Sequence, residues 1–422
     1  MGKYIKLFNT HAEYEAFIQT NDFIKPNVSH CVQEDDVHYN PWTWAEEYLT
    51  FVAKESGTFT FTPQNSNVIS YSTDGGETWT EGNNVSVSNG DEVLWKGTMT
   101  PSSSYPYGIG NFVSVGNYDV QGNVMSLLYG DNYKKQTDLT GKGYAFYRLF
   151  YQNTKVINAE NLSLPATTLV DYCYQAMFQG CTNLTTAPEL PATTLAYYCY
   201  NNMFNGCTSL TTAPTLSATT LADYCYQYMF QDCTSLTTAP ELPATTLAGG
   251  CYQRMFQGCT TLTTAPELPA TTLESSCYQY MFYGCINLTT APELPATTLA
   301  SNCYQRMFQD CTSLTTAPQL PATTLASSCY HYMFYGCTSL TTAPELPATT
   351  LASNCYQYMF YGCTNLNYIK AMFTTTPNAT YTSNWVYRVA SSGTFVKNSA
   401  AQWDVSGING IPTGWTVQTA SE

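Results

Sequence analysis

The stretch LPATTLASNCYQRMFQDCTSLTTAPQ, residues 294–319, is one copy of a 26-residue unit that occurs eight times between Leu164 and Ala371. Its first cysteine recurs at Cys173, Cys199, Cys225, Cys251, Cys277, Cys303, Cys329 and Cys355. Its second follows eight residues later, at Cys181, Cys207, Cys233, Cys259, Cys285, Cys311, Cys337 and Cys363. A unit this short cannot enclose its own apolar face, so successive units must stack and share one continuous core. The expected fold class is therefore a repeat solenoid of α/β type, with short strands and short helical turns, preceded by a small N-terminal β domain.

Within the quoted copy, Cys303, Met307 and Phe308 have the spacing of one face of a short helical turn. Gly or Asp stands before the second Cys in each copy and ends the turn. The run Cys311–Pro318 then reads as extended, with Leu314 and Ala317 inward, and Pro318 stopping the strand because it has no N–H to donate. Stacking at the inter-strand spacing of about 4.8 Å predicts a body roughly 40 Å long, or more along an arc.

The pattern YMFYGCTSLTTAPEL at 332–346, and Phe178, Gly180, Cys181, Leu184 and Pro188 with their equivalents every 26 residues, resembles the BspA-type (Treponema pallidum type) leucine-rich repeat. The resemblance covers residues 164–371, about half the chain. The period is longer than the family's usual one, and a Cys replaces an aliphatic residue; this bears on curvature more than on fold. The whole chain is similar to multidomain repeat proteins of gut Bacteroidales and their phages. That resemblance implies a surface adhesin or a virion-associated fibre or decoration protein.

Seventeen cysteines invite a disulfide or metal reading. Sixteen of them fall into two columns, one residue of each per layer, beside columns of Leu, Met and Phe. Metal sites need ligands that converge on one point, so buried reduced thiols acting as small apolar groups fit these structural columns better than bridges or metal sites. The remaining cysteine, Cys31, lies near His30 and His38 with Asp35 and Asp36 between, a mixed set that chance produces often. No cofactor is expected.

Only 11 % of residues are charged, with 15 basic and 30 acidic, for a net charge of −15. Between Leu164 and Tyr368 the only basic residues are Arg254 and Arg306, too few for a phosphate-tracking groove, so nucleic acid is not an expected partner. No apolar run is long enough to span a bilayer. The opening MGKYIKLFNTHAEYEAF has no secretory leader core, which favours a virion origin, with release by lysis, over an exported cell-surface protein.

The sequence divides into an irregular, aromatic-rich attachment segment at 1–55, a small β-sandwich-like domain at 56–100, a linker and N-terminal cap at 101–163, the repeats at 164–371 and a C-terminal cap at 372–422. AEYEAFI reads as a short helix, and AFYRLFYQNT as a degenerate first repeat. Ser72–Trp79, STDGGETW, resembles the Asp-box turn of sialidase propellers and other β domains. One copy marks a folding motif, not a glycosidase.

Function is sought where residues change while the frame stays fixed. The column before Met reads Ala176, Asn202, Tyr228, Arg254, Tyr280, Arg306, Tyr332 and Tyr358. The column two before the second Cys includes Tyr283, Tyr335 and Tyr361. Tyr and Arg are residues that recognition surfaces use, so these positions are the candidate recognition face for a cell-surface glycan or protein. The competing reading is neutral drift in a column that merely packs.

No acid–base pair, nucleophile or metal set emerges. Glu189, Glu241, Glu267, Glu293 and Glu345 form an even column rather than two carboxylates facing each other across one site, and His331 replaces a repeat Gln. The expectation is a non-enzymatic structural or recognition protein. It would contact virion proteins through its N-terminal region; a homo-oligomer is compatible with this reading, although no heptads predict one. The alternative is an accessory protein of carbohydrate-active enzymes, or a hydrolase using the repeats as a substrate platform.

Overall fold

The computed structural model describes residues 4–8, 28–32, 37–39, 47–105 and 107–420, the first three segments by backbone alone. Strands β1 (Tyr4–Phe8), β2 (Val28–Val32) and β3 (Val37–Tyr39) form a small mixed sheet. Next come β4 (Leu49–Ala53), β5 (Gly57–Pro63), β6 (Ile69–Ser72), β7 (Thr80–Glu81), β8 (Asn84–Val87) and β9 (Glu92–Gly97). They are followed by β10 (Gly110–Val115), β11 (Tyr118–Asn123), the four-residue helix α1 (Ser126–Tyr129), β12 (Val156–Asn158) and β13 (Leu162–Ser163).

These strands make a three-stranded antiparallel sheet, β10-β5-β8, and a seven-stranded mixed sheet, β12-β11-β4-β9-β6-β7, with β13 also on β11. In β5 the sequence GTFTFTP alternates, burying Phe59 and Phe61 and turning its threonines away. Phe51, Phe59, Trp95, Phe112 and Tyr118 fill the space between the sheets. The β signals read at 56–100 are thus one part of a larger unit that takes strands from Leu49 to Ser163. Phe112 stacks on Phe150 at 5.8 Å, and its N–H donates to Leu149 O at 2.8 Å. This unit therefore covers the first turn of the repeat array and shares one apolar core with it.

The array corrects the expected fold class of an α/β solenoid with short strands and helical turns. The strands of the described residues lie in open sheets, two of them mixed, and helix is limited to α1, a 3-10 turn at Gly130–Asn132 and the four-residue α2 (Ala379–Thr382). The Cys–Tyr–Gln segment of each unit is a run of consecutive turns, because every fourth residue has positive φ: Tyr172 (61°), Ala176 (56°) and Gly180 (76°) in one unit, Ser276 (57°), Tyr280 (59°) and Gly284 (73°) in another. A left-handed residue every four positions cannot continue a right-handed helix.

What replaces the helix is an alternation of donors. Cys251, Gln253, Met255, Gln257 and Cys259 donate their N–H groups three residues back, to Ala248, Gly250, Tyr252, Arg254 and Phe256. The interleaved Gly250, Tyr252, Arg254, Phe256 and Gly258 donate instead into the next unit, to Ser275, Cys277, Gln279, Met281 and Tyr283, at 2.8–3.0 Å. Residues 144–152 already follow this pattern into the first full unit, and Asn354, Tyr356, Tyr358, Phe360 and Gly362 pass it on to residues 380–387. Every layer is hydrogen-bonded to the next through the backbone.

The expected strands within the repeats are also absent. The Thr-Thr-Ala-Pro-Glu-Leu-Pro runs meet only through isolated parallel bridges, such as Thr186 with Thr212 and Thr212 with Thr238. Two prolines per run remove the donors that a continuous ladder needs. The last copy shows the converse. There Tyr368-Ile-Lys-Ala stands where the preceding unit has Thr342-Ala-Pro-Glu, and a true strand forms. It is β14 (Tyr368–Ala371), parallel to β15 (Thr394–Lys397), which pairs with β16 (Thr416–Thr419). Trp385 and Phe373 cover the last aromatic layer; Trp385 Nε1 donates to Gly410 O and Trp403 Nε1 to Phe373 O. The predicted helical segment AEYEAFI lies outside the described residues.

Two buried aromatic columns run the length of the stack. Tyr174 to Tyr356 recur at centroid spacings of 5.7–6.0 Å, and Phe178 to Phe360 at 5.7–5.8 Å, with rings within about 12° of parallel. Phe256→Ala, in mid-stack, removes a ring that both neighbouring layers touch. It should cost about 3–5 kcal/mol in urea unfolding; a loss under about 1 kcal/mol would contradict a core shared between layers.

Candidate functional site

The cysteine columns are interior. All sixteen array cysteines are buried and unbridged. Each second-column thiol reaches a Phe carbonyl of the layer before it: Cys181 Sγ donates to Phe150 O at 3.0 Å, Cys259 to Phe230 O and Cys285 to Phe256 O at 3.1 Å, and Cys363 to Phe334 O at 3.0 Å. A small weak donor at this position thus ties two layers together without placing an unpaired hydroxyl in the core. Burial raises every one of these thiols, Cys173, Cys225 and Cys303 to about 12 and others well above their usual value. At neutral pH they hold almost no thiolate. With Ellman's reagent at pH 8, the folded protein should therefore react at no more than one thiol, Cys31. After unfolding without reductant all seventeen should react; a shortfall there would mean bridges.

The side chains of His30, Cys31, Asp35, Asp36 and His38 lie outside the described residues. Among the described residues no group of three or more His, Cys, Asp or Glu is placed to hold a metal. The Asp-box-like turn is a folded hairpin tip: Asp74 accepts from the Thr78 N–H and hydroxyl, Gly76 N donates to Ser72 Oγ, and Trp79 Nε1 donates to Gly76 O. The Ser72 hydroxyl also donates to Asp74, at 2.7 Å, and together with the Thr78 bonds it holds Asp74 well below the usual carboxylate range. In the Glu column, Glu345 pairs with Lys370 at 3.0 Å.

The variable columns lie side by side on one face of the array. Every fourth-residue left turn brings the residue before Met to the same lateral position in each layer. Tyr228, Arg254, Tyr280, Arg306, Tyr332 and Tyr358 are all half-buried, whereas Ala176 is buried. They form one continuous strip. The Arg254 guanidinium sits 4.0 Å from the Tyr280 ring and 5.5 Å from Tyr228; Arg306 sits 4.0 Å from Tyr332 and 5.3 Å from Tyr280. Tyr332 then stacks on Tyr358 at 4.5 Å.

The second column runs alongside. Tyr335 stacks on Tyr361 at 4.7 Å, and Tyr283 meets Tyr280 edge-on at 5.9 Å. Arg254 and Arg306 each donate one bond, to Gln257 and Gln309, while their Nε atoms are enclosed without a partner. Stacking is thus what positions these guanidinium groups. Because Tyr280 has a guanidinium on either side and Tyr332 lies between Arg306 and Tyr358, the middle of the strip presents ring edges, hydroxyls and guanidinium tips outward. That surface is suited to hydrogen bonding along a line rather than to covering a sugar face.

Beside the strip runs an amide ladder whose only trace in the sequence is a column of Gln interrupted by Asn201 and His331. Gln175 donates to Asn201 Oδ1 at 2.9 Å and Asn201 to Gln227 Oε1 at 2.8 Å. Gln227, Gln253 and Gln279 each pass a bond to the next layer, ending at Gln305. Gln305 Nε2 lies 2.7 Å from His331 Nδ1, so with the amide as donor His331 accepts and is neutral. Burial, then the Arg306 charge, lowers His331 to about 4.

The native state therefore binds fewer protons than the unfolded chain between pH 6.5 and about 4. The resulting stabilisation is complete above pH 6.5 and is lost as pH falls through that window. His331→Gln, which restores the repeat residue, should reduce the acid loss between pH 7 and 4 by about 1–2 kcal/mol once solvent screening of the half-buried ring is discounted. Identical acid profiles for the two proteins would refute the assignment.

Among the described residues, no helix is long and apolar enough to cross a membrane. The family profile described as BspA type leucine rich repeat region, in 6 copies, matches residues 147–289 and 275–388, more than half of the chain. No curated protein matches the chain.

Proposed function

From a chain that belongs to the BspA-type leucine-rich repeat family, a protein-interaction module, we propose a non-enzymatic recognition scaffold that binds a glycan or protein on a bacterial or host surface through the strip Tyr228–Arg254–Tyr280–Arg306–Tyr332–Tyr358 and its flank Tyr283, Tyr335 and Tyr361. The observation that carries this reading is the unbroken run of alternating Tyr and Arg over five consecutive layers, Tyr228 to Tyr332, held by stacking at 4.0–5.5 Å. It occupies positions where the repeat frame accepts Ala, Asn, Tyr or Arg in the same left-handed conformation. Such a surface is rigid before it binds, so few side chains lose freedom on association.

The assembly in which it works is a virion-associated fibre or decoration protein, or a surface adhesin, with the N-terminal region as the attachment segment. The paired cysteines serve as packing groups in this reading, and the cap segments close the ends of the array.

Binding to a panel of immobilised bacterial and host glycans and to intact cells tests the strip. Tyr280→Ala, Tyr332→Ala and Tyr358→Ala combined should weaken capture by at least about tenfold, since buried-edge Tyr and Arg groups dominate such interfaces. Equal binding by the variant, with its unfolding midpoint unchanged, would remove the strip as the binding face.

A further inference from the structure

The loop between β9 and β10 meets the first layer of the array around a cavity of about 430 Å³, inside the size range of small-ligand pockets. Tyr105, Tyr107, Tyr147, Tyr151, Arg148 and Asn111 line it, with Gln64 at its edge. Backbone bonds hold the described parts of the loop: Ser102 and Gly108 exchange bonds at 3.0 Å, and Gln64 N donates to Ile109 O. Tyr107 stacks on Tyr144 at 4.7 Å and stands edge-on to Tyr147 at 5.8 Å, whereas Tyr105 is 87 % exposed. Tyr105 meets Tyr107 edge-on, at 6.2 Å, so its faces remain open to a ligand.

Arg148 occupies the same turn position as Arg254 and Arg306, one layer before Ala176: its N–H donates to Gln175 O as that of Arg254 does to Gln279 O. Its surroundings differ. Arg254 lies between two rings of adjacent layers and bonds to Gln257. Arg148 has Ala176 on the layer above and touches only Tyr151 at 4.4 Å and Tyr147 at 5.1 Å, with no side-chain hydrogen bond or ion pair to any described residue. In a chain with 30 acidic and 15 basic residues, the cavity wall carries one cation and no carboxylate.

We propose that this cavity binds a carboxylate-bearing pyranose, a sialic or uronic acid, with Arg148 gripping the carboxylate, the tyrosine faces supporting the sugar ring, and Asn111 and Gln64 taking its hydroxyls. A planar guanidinium matches a carboxylate with two parallel bonds, and a ring's apolar face lies well on an aromatic surface. The site is at the array's N-terminal end, apart from the strip proposed above, and does not depend on it.

Titration calorimetry of the full-length protein with N-acetylneuraminic acid and with galacturonic acid, against galactose and N-acetylglucosamine, tests it. At least one of the acids should bind with a millimolar or tighter Kd, and the neutral sugars about tenfold or more weaker. Which acid binds identifies the source. Arg148→Gln should lose about tenfold or more and Arg148→Lys should lose less, both with unchanged melting temperature because Arg148 is exposed. The Tyr280/Tyr332/Tyr358 variant should bind the acid as the parent does, which separates a failure here from a failure of the strip. Equal affinity for acidic and neutral sugars, no binding of either acid at about 50 mM, or undiminished binding by Arg148→Gln would each overturn the proposal.

Discussion

The division of backbone N–H groups between the chain's own turn and the next layer is the constraint on which the rest of the structure depends. A right-handed helix would spend every donor within itself and leave its neighbours to side-chain packing alone. Here a left-handed residue every four positions turns alternate donors outward, and five of them reach the adjacent unit. Buried backbone donors are satisfied only while the neighbouring layer is present, so no unit is stable by itself. The same geometry places chemically equal side chains directly over one another. The Tyr, Phe, Cys and Gln columns all follow from it.

Against this backbone, proline has a limiting role. Each regular unit contains a Pro pair that prevents the Thr-rich runs from joining into a continuous parallel sheet, and what forms is a set of single bridges. Where the prolines disappear, at Val156–Asn158 and at Tyr368–Ala371, strands appear and connect the array to sheets at its two ends. The terminal units are atypical in sequence because they have different neighbours. One must meet the β sheets that include Phe112, and the other the tryptophans of residues 385–415. An unmodified repeat at either end would leave five donors or acceptors and two aromatic rings without a counterpart.

The surface columns inherit the register of the core. Tyr and Arg in successive layers come close enough to stack on each other, and the strip is rigid for that reason. Stacking also decides what the middle of the strip offers, namely edges and polar tips, because the faces of Tyr280 and Tyr332 are taken. The same turn position at the N-terminal end, with Ala176 on one side and a cavity on the other, leaves Arg148 uncovered. One position in the repeat thus has two chemical outcomes, set by its neighbours along the stack.

The amino-acid sequence alone determined the period, the stacking of units, the family likeness carried by Phe178, Gly180, Cys181, Leu184 and Pro188, and the identity of the columns, since a strict 26-residue spacing leaves little freedom in these. It misled on local conformation. Cys303, Met307 and Phe308 have helical spacing, yet a run of turns buries them equally well, and periodicity does not report the sign of φ at Asn302 or Arg306. Only the tertiary structure decided that the donors alternate, that Gln175 to His331 bond across layers, and that Tyr105, Tyr107, Arg148 and Tyr151 line one cavity. The physical reason is the same each time. These arrangements join residues about 26 positions apart, or a loop to a distant layer, and they exist only once the layers are stacked in register.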